Sequence, residues 1–177
     1  GVGLGSRLQQ IKDDGNATIL CHEVQDPQRY GVVALNKDGE IIEIEEKPTE
    51  PKSNFAVTGL YFYPGDVSQL AKTLTPSARG ELEITDLNNL YLEQGRLRME
   101  NLSRGYAWLD AGTESALLDS ANFIASIEKR QSLRIGCIEE IAWAMGWIEK
   151  AQVIALADQN SNSSYGAYLR SIARDKS

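Results

Sequence analysis

The sequence predicts an α/β domain followed by a small helical tail, and three observations carry that expectation. Apolar, strand-like segments alternate with segments of helical period over residues 17–130. Gly105-Tyr106-Ala107-Trp108-Leu109-Asp110-Ala111-Gly112-Thr113 reads as a short apolar strand that runs through a turn into a helix. Beyond Ile138, helical segments follow one another with no strand between them. At 177 residues the chain has room for one domain with a core plus an appendage, divided at residues 1–135 and 136–177.

The totals exclude several classes of function. The formal net charge is -7, so no basic surface is expected for nucleic acid or an anionic membrane. No apolar run approaches the length needed to cross a bilayer. Cys21 and Cys137, the only cysteines, lie far apart and suit a reducing cytoplasm as buried free thiols. His22 is the single histidine, better explained as a space-filling strand residue than as part of a Ser-His-Asp triad.

The elements follow in order. Gly1-Val2-Gly3-Leu4-Gly5-Ser6-Arg7-Leu8 is glycine-rich, but no strand precedes it and no Lys-Ser/Thr pair follows. It reads as a loop leading into a helix with Leu4, Leu8 and Ile11 at helical spacing, closed near Gly15. Ala17 to Val24 is a buried strand broken at Asp26-Pro27, and Tyr30 to Leu35 is a second strand. Asn36-Lys37-Asp38-Gly39 is a hairpin-type turn into Glu40 to Glu46, whose isoleucines alternate with glutamates until Lys47-Pro48. Ala56 to Tyr63 is the most strand-like stretch, stopped by Pro64-Gly65, after which Asp66 caps a helix through Leu74. Thr85 caps the next helix, with Leu87, Leu90 and Tyr91 on its face and Gly95 at its end. Arg96 to Leu102 alternates as a strand. The longest helix runs from Glu114 to about Arg130 with Leu117, Ala121, Ile124 and Ile127 on one stripe. Three helical segments close the chain: Ile138–Met145, Lys150–Ala157 and Ser164–Arg174, with Asn160 to Ser164 as a loop.

Chemistry points first to Asp110. A carboxylate at a strand end beside a helix N-terminus is where α/β proteins hold metal-bound phosphates; the plainer alternative is a residue that caps or ends the strand.

Six segments, taken together and in order, carry a resemblance. They are Asp26-Pro27-Gln28-Arg29-Tyr30-Gly31-Val32-Val33, Glu45-Glu46-Lys47-Pro48, Ser53 to Tyr63, Arg79-Gly80-Glu81-Leu82-Glu83-Ile84-Thr85-Asp86, Trp108 to Thr113, and Ile138-Glu139-Glu140-Ile141-Ala142-Trp143. The chain resembles the carboxyl-terminal part of the glucose-1-phosphate thymidylyltransferases, or dTDP-glucose pyrophosphorylases. The resemblance implies a partial Rossmann-like nucleotidyltransferase fold with a mixed sheet. It also implies a homo-oligomer, a homotetramer at full length, acting in the cytoplasm within dTDP-rhamnose biosynthesis. The family's nucleotide loop with its Gly-Thr-Arg-Leu sequence, and the aspartate that shares the metal, have no match in the sequence. The chain is therefore expected to be a fragment that keeps much of the sugar pocket and does not turn over.

The family reaction joins glucose 1-phosphate to the α-phosphorus of dTTP and releases pyrophosphate, so catalysis is chiefly charge neutralisation and alignment. By the resemblance Asp110 is one of two carboxylates that hold Mg²⁺. Lys47 meets the sugar phosphate and Arg79 reaches phosphate, where a solvated lysine and a surface arginine are the ordinary alternatives. Glu46 accepts hydrogens from two glucose hydroxyls at once, against a strand-edge glutamate beside Glu43 and Glu45. Gly31 admits close backbone approach to the sugar, against a β-bulge. Val57 and Tyr61 supply main-chain contacts and a pocket wall, or simply strand core. Thr85 and Trp108 line the pocket, where a helix cap and a core indole need no ligand. Glu140 and Ile141 match the family's regulatory nucleotide site, but Ala144 stands where a basic residue is common, which weakens feedback inhibition by dTDP-rhamnose. The rivals are a UTP-using relative and a non-catalytic module that binds sugar phosphate or assists assembly.

Overall fold

Ala17, Thr18, Ile19, Leu20 and Cys21 are almost completely removed from solvent, and such an unbroken buried run marks a strand covered on both faces. It forms β1 (Ala17–Glu23). The remaining strands are β2 (Gly31–Leu35), β3 (Ile41–Glu46), β4 (Phe55–Phe62) and β5 (Leu97–Asn101), in the spatial order β3-β2-β4-β1-β5. Only β1 and β5 run parallel; the pairs β1–β4, β2–β4 and β2–β3 are antiparallel, so the sheet is mixed as expected. This computed structural model describes residues 4–11, 15–102 and 104–175. The Gly1-Val2-Gly3 opening lies outside the described residues.

Contacts divide the chain into two units, residues 1–108 and 109–177. The first holds the sheet with α1 (Leu4–Gln10), α2 (Val67–Ala71) and α3 (Ile84–Glu93). Arg7 of α1 donates to Glu100 Oε2 at 2.7 Å and to the Asn101 carbonyl at 3.0 Å, which ties the helix to β5. Ile19, Cys21, Val33 and Ile44 form one buried cluster across β1, β2 and β3. Ala17, Leu87 and Tyr91 form a second under α3. The Asn36 side chain accepts from the Asp38 and Glu40 amides, both at 2.9 Å, and this Asx-type turn sets the β2–β3 hairpin.

The regular elements described in the second unit are all helices: α4 (Glu114–Gln131), α5 (Ile138–Ala144), α6 (Lys150–Gln159) and α7 (Ser164–Asp175). Thr113 caps α4 as expected, its hydroxyl accepting from the Ala116 amide at 3.1 Å. Cys137, Val153, Ala157, Leu169 and Ala173 make its core. Gly166 is required where α7 begins, because a Cβ there would stand 2.1 Å from the Asn160 carbonyl oxygen. Among the described residues, no helix is long and apolar enough to cross a membrane.

Three local expectations are corrected. Residues 106–111 are irregular rather than a strand; a neighbouring strand must supply ladder partners, and apolarity alone does not. α2 stops at Ala71 instead of Leu74, and Asp66 makes no side-chain cap to it. The Asp66 carboxylate accepts instead from Arg96 and from the Tyr91 hydroxyl, both at 2.9 Å. Thr85 lies inside α3, one residue past its start, and its hydroxyl goes to a strand rather than to the helix end.

Candidate active site

The register of β2 and β3 places Gly31 directly opposite Glu46. The irregularity in that pairing falls between Ala34 and Leu35, so Gly31 is a regular ladder residue and not a bulge. From the helix side, the Thr85 hydroxyl donates to Glu46 Oε2 at 2.6 Å. A Cβ on Gly31 would lie 3.1 Å from Thr85 Oγ1, 3.2 Å from Glu46 Oε2 and 3.8 Å from Val57 Cγ2. Four of the sequence-predicted residues, Gly31, Glu46, Val57 and Thr85, therefore meet at one point, and the missing side chain of Gly31 lets Thr85 and Glu46 pack close against the backbone there.

Glu46 is more constrained than its sequence position suggests. One oxygen is engaged by Thr85, itself only 4% exposed, so Oε1 remains the more available acceptor for a sugar hydroxyl. A hydrogen bond of this kind contributes about 1.5–3 kcal/mol when the acceptor is charged. Tyr61 lies within the reach of this carboxylate: burial first, and then the Glu46 charge, raise its pKa above the usual phenol range.

Lys47 follows at the end of β3. Its amide donates to the Tyr30 carbonyl at 3.0 Å, and its φ of 47° is left-handed, a costly conformation for a residue that carries a β-carbon. The side chain is exposed. Arg79 also turns toward this region, but acids hold it. It donates to Glu81 at 2.7 Å and to Glu83 at 3.1 Å. The Glu81 hydrogen bond is the main cause of its raised pKa, with the Glu46 charge a smaller one. A phosphate must compete with Glu81 and Glu83 for that guanidinium.

Trp108 is half-buried and donates from Nε1 to the Thr58 carbonyl at 3.1 Å. Its ring meets Tyr30 edge-on at 4.9 Å and His22 at 6.4 Å, which sets it beside the residue that precedes Gly31. His22 bonds the Leu102 carbonyl through Nδ1 at 3.1 Å, the packing role expected of it. Cys21 and Cys137 are free and buried, and burial pushes the Cys21 thiol up to about 12.

Asp110 belongs to the second unit. Its Oδ1 accepts from the Gly112 amide at 3.0 Å, and a Cβ on Gly112 would crowd that oxygen at 3.2 Å. The Ser120 hydroxyl donates to its main-chain carbonyl at 2.9 Å, fixing the residue against α4. Among the described residues no three His, Cys, Asp or Glu side chains converge as a metal cage. One half-buried carboxylate nonetheless fits Mg²⁺, which keeps its waters and takes one or two protein carboxylates together with substrate phosphates. Glu140, at the start of α5, accepts from the Tyr168 hydroxyl, and Ile141 keeps 48% of its exposure.

The sequence reading missed two residues. Asn88 is fully buried one turn beyond Thr85, and Tyr63 donates to its Oδ1 at 2.6 Å. The available signal was a polar residue at three-residue spacing from Thr85, on a helix face otherwise built from Leu87 and Tyr91.

Residues 4–127 match the Nucleotidyl transferase family. A glucose-1-phosphate thymidylyltransferase of Xanthomonas campestris pv. campestris (strain B100) is 52% identical over 176 residues, covering 98% of this chain and 59% of that protein. One from Mycobacterium tuberculosis (strain H37Rv) is 48% identical over 169 residues, covering 96% of this chain and 59% of that protein. A Bacillus anthracis chain assigned to the same enzyme, crystallised with sucrose, superposes with a TM-score of 0.60 at 43% identity, over 70% of this chain and 49% of that one. The chain thus spans about three-fifths of the length of the curated relatives it matches. With the mixed sheet and the Gly31–Glu46–Thr85 convergence in place, these likenesses mean that the chain belongs to the nucleotidyl transferase family, alongside relatives named glucose-1-phosphate thymidylyltransferase.

Proposed function

We propose that the protein carrying this sequence joins dTTP to glucose 1-phosphate, giving dTDP-glucose and pyrophosphate, and that residues 31–85 supply its sugar-phosphate site. The observation that carries this reading is the meeting of Gly31, Glu46, Val57 and Thr85 at one point beside the β2 backbone. Glu46 accepts from a glucose hydroxyl through the oxygen Thr85 leaves more available, and Gly31 lets the sugar approach the backbone. Tyr61 walls the pocket and stays uncharged beside Glu46. The exposed ammonium of Lys47 offsets the sugar phosphate, and Arg79 adds positive charge once a phosphate outcompetes its acidic neighbours.

Asp110 contributes one carboxylate toward Mg²⁺. When bound, that ion would neutralise phosphate charge and so ease the approach of two anions. Homo-oligomeric assembly, a cytoplasmic location and a place in dTDP-rhamnose biosynthesis belong to the same reading and rest on the family resemblance alone.

The test is pyrophosphate release by the full-length protein from glucose 1-phosphate with each of dTTP, UTP, ATP and GTP. Turnover strongest with dTTP and dependent on Mg²⁺ is expected, with Asp110→Asn lowering the rate a hundredfold or more. Preference for UTP would move the protein to a sister activity. No turnover with any of the four would leave a non-catalytic binding module. Asp110→Asn activity within a few-fold of the parent would remove Asp110 from the metal site.

A further inference from the structure

We propose that Asn88 is a positioning residue for the sugar site, acting on it through Tyr63 and Tyr61; the proposal rests on the sugar-phosphate reading above. Asn88 is 0% exposed and sits on α3 one turn beyond Thr85, so the two polar side chains share the buried face of the helix. The Tyr63 hydroxyl donates to Asn88 Oδ1 at 2.6 Å. The Tyr63 ring stacks on Tyr61 with centroids 5.8 Å apart and planes 14° from parallel. Tyr63 is backed on its own account by Tyr91, at 5.5 Å and 25°.

Helix α3 reaches the site by two routes. Thr85 donates to Glu46, and Asn88 accepts from Tyr63, on which Tyr61 stacks. One helix face thereby sets both the carboxylate and the aromatic wall of the pocket. Stacking alone leaves a ring free to slide in its own plane; the hydroxyl bond to Asn88 removes that freedom from Tyr63 and hence from the ring above it.

Asn88 also carries the cost of this arrangement. Its Nδ2 is buried with no hydrogen-bond partner among the described residues. An apolar residue of similar volume would avoid that stranded donor, so the amide is poorly explained as a contribution to folding and well explained as an acceptor for Tyr63.

The experiment uses the full-length protein with Asn88→Leu and Tyr63→Phe. Each is expected to raise KM for glucose 1-phosphate three- to tenfold, while KM for dTTP and kcat stay within twofold and Tm stays within a few degrees. In parallel, fluorotyrosine is incorporated and the Tyr61 fluorine resonance assigned with Tyr61→Phe; in both variants that resonance should shift or broaden. This second readout needs no catalysis, so it stands even where the wild type fails to turn over and the sugar-nucleotide reading itself is lost. An unmoved Tyr61 resonance in Tyr63→Phe overturns the proposal. So does a parallel fall of Tm, kcat and both KM-derived affinities, which marks a purely structural residue.

Discussion

Thr85 Oγ1 lies 2.6 Å from Glu46 Oε2, joining the first turn of α3 to the last residue of β3. Threonine and valine have nearly the same volume, so Thr85→Val deletes this bond by replacing the hydroxyl with a methyl group. Glu46 then loses the partner that orients it, and an isolated loss of this size is about 1.5–3 kcal/mol. KM for glucose 1-phosphate should rise by about tenfold or more, with KM for dTTP little altered; Thr85→Ser, which keeps the hydroxyl, should recover most of the loss. Steady-state kinetics on the three proteins decides it. Equal kinetics for Val and Ser would mean that Glu46 is oriented by something else.

Gly31 gives an independent check on the same point. An added Cβ meets Thr85 Oγ1 at 3.1 Å and Glu46 Oε2 at 3.2 Å, so both must yield by a few tenths of an ångström. Gly31→Ala is expected to cost about 1 kcal/mol of stability through overpacking, and more in sugar affinity, because the added methyl displaces the Glu46 carboxylate. Calorimetric titration with glucose 1-phosphate beside thermal melts separates the two effects. Unchanged affinity would place the sugar elsewhere.

Lys47 should show a conflict between folding and function. At φ 47° a β-carbon is disfavoured, so Lys47→Gly relieves strain that Lys47→Ala retains. The glycine variant is expected to melt higher than the alanine variant by an amount corresponding to about 1 kcal/mol, the reverse of the ordinary order within a strand or helix. Both remove the ammonium, and both should raise KM for glucose 1-phosphate by about tenfold or more. Thermal melts of the pair check the strain, and kinetics check the charge.

Much of this was legible in the sequence because periodicity and turn chemistry are local. The alternation of isoleucine with glutamate gave β3, and Asn36 to Gly39 gave its hairpin. The order of the strands was not legible, since the parallel pairing of β1 with β5 joins segments about eighty residues apart through no local signal. The resemblance named Gly31, Glu46, Val57 and Thr85 one by one, but not the contact between Thr85 and Glu46, which depends on how α3 lies on β3. Thr85 reads as a cap because threonine commonly caps; the helix instead begins one residue earlier, and tertiary packing takes its hydroxyl. Residues 106–111 read as a strand from apolarity alone and found no ladder. Asn88 escaped notice because a lone asparagine in a helix has many uses.

Alkali should expose how deeply the aromatic network is built in. Burial is the first cause that raises the pKa values of Tyr61, Tyr63, Tyr91, Tyr165 and Tyr168, that of Tyr91 to about 12. Hydrogen bonds to carboxylates add to it for Tyr91, where Asp66 accepts, and for Tyr168, where Glu140 accepts. A phenol whose folded pKa lies above its unfolded value favours folding fully below the unfolded pKa, near pH ~10, and loses that contribution as pH rises through the folded pKa. Stability should therefore hold to about pH 10 and then fall as alkali increases. Phenolate absorbance should rise only in part near the free-tyrosine pKa and complete itself in one step that coincides with loss of the circular-dichroism signal. Tyr91→Phe should remove part of that step and lessen the alkaline loss of stability. A smooth rise to full phenolate amplitude while the circular dichroism stays native would mean that these rings are open to solvent and that Tyr61, Tyr63 and Tyr91 do not back the sugar site.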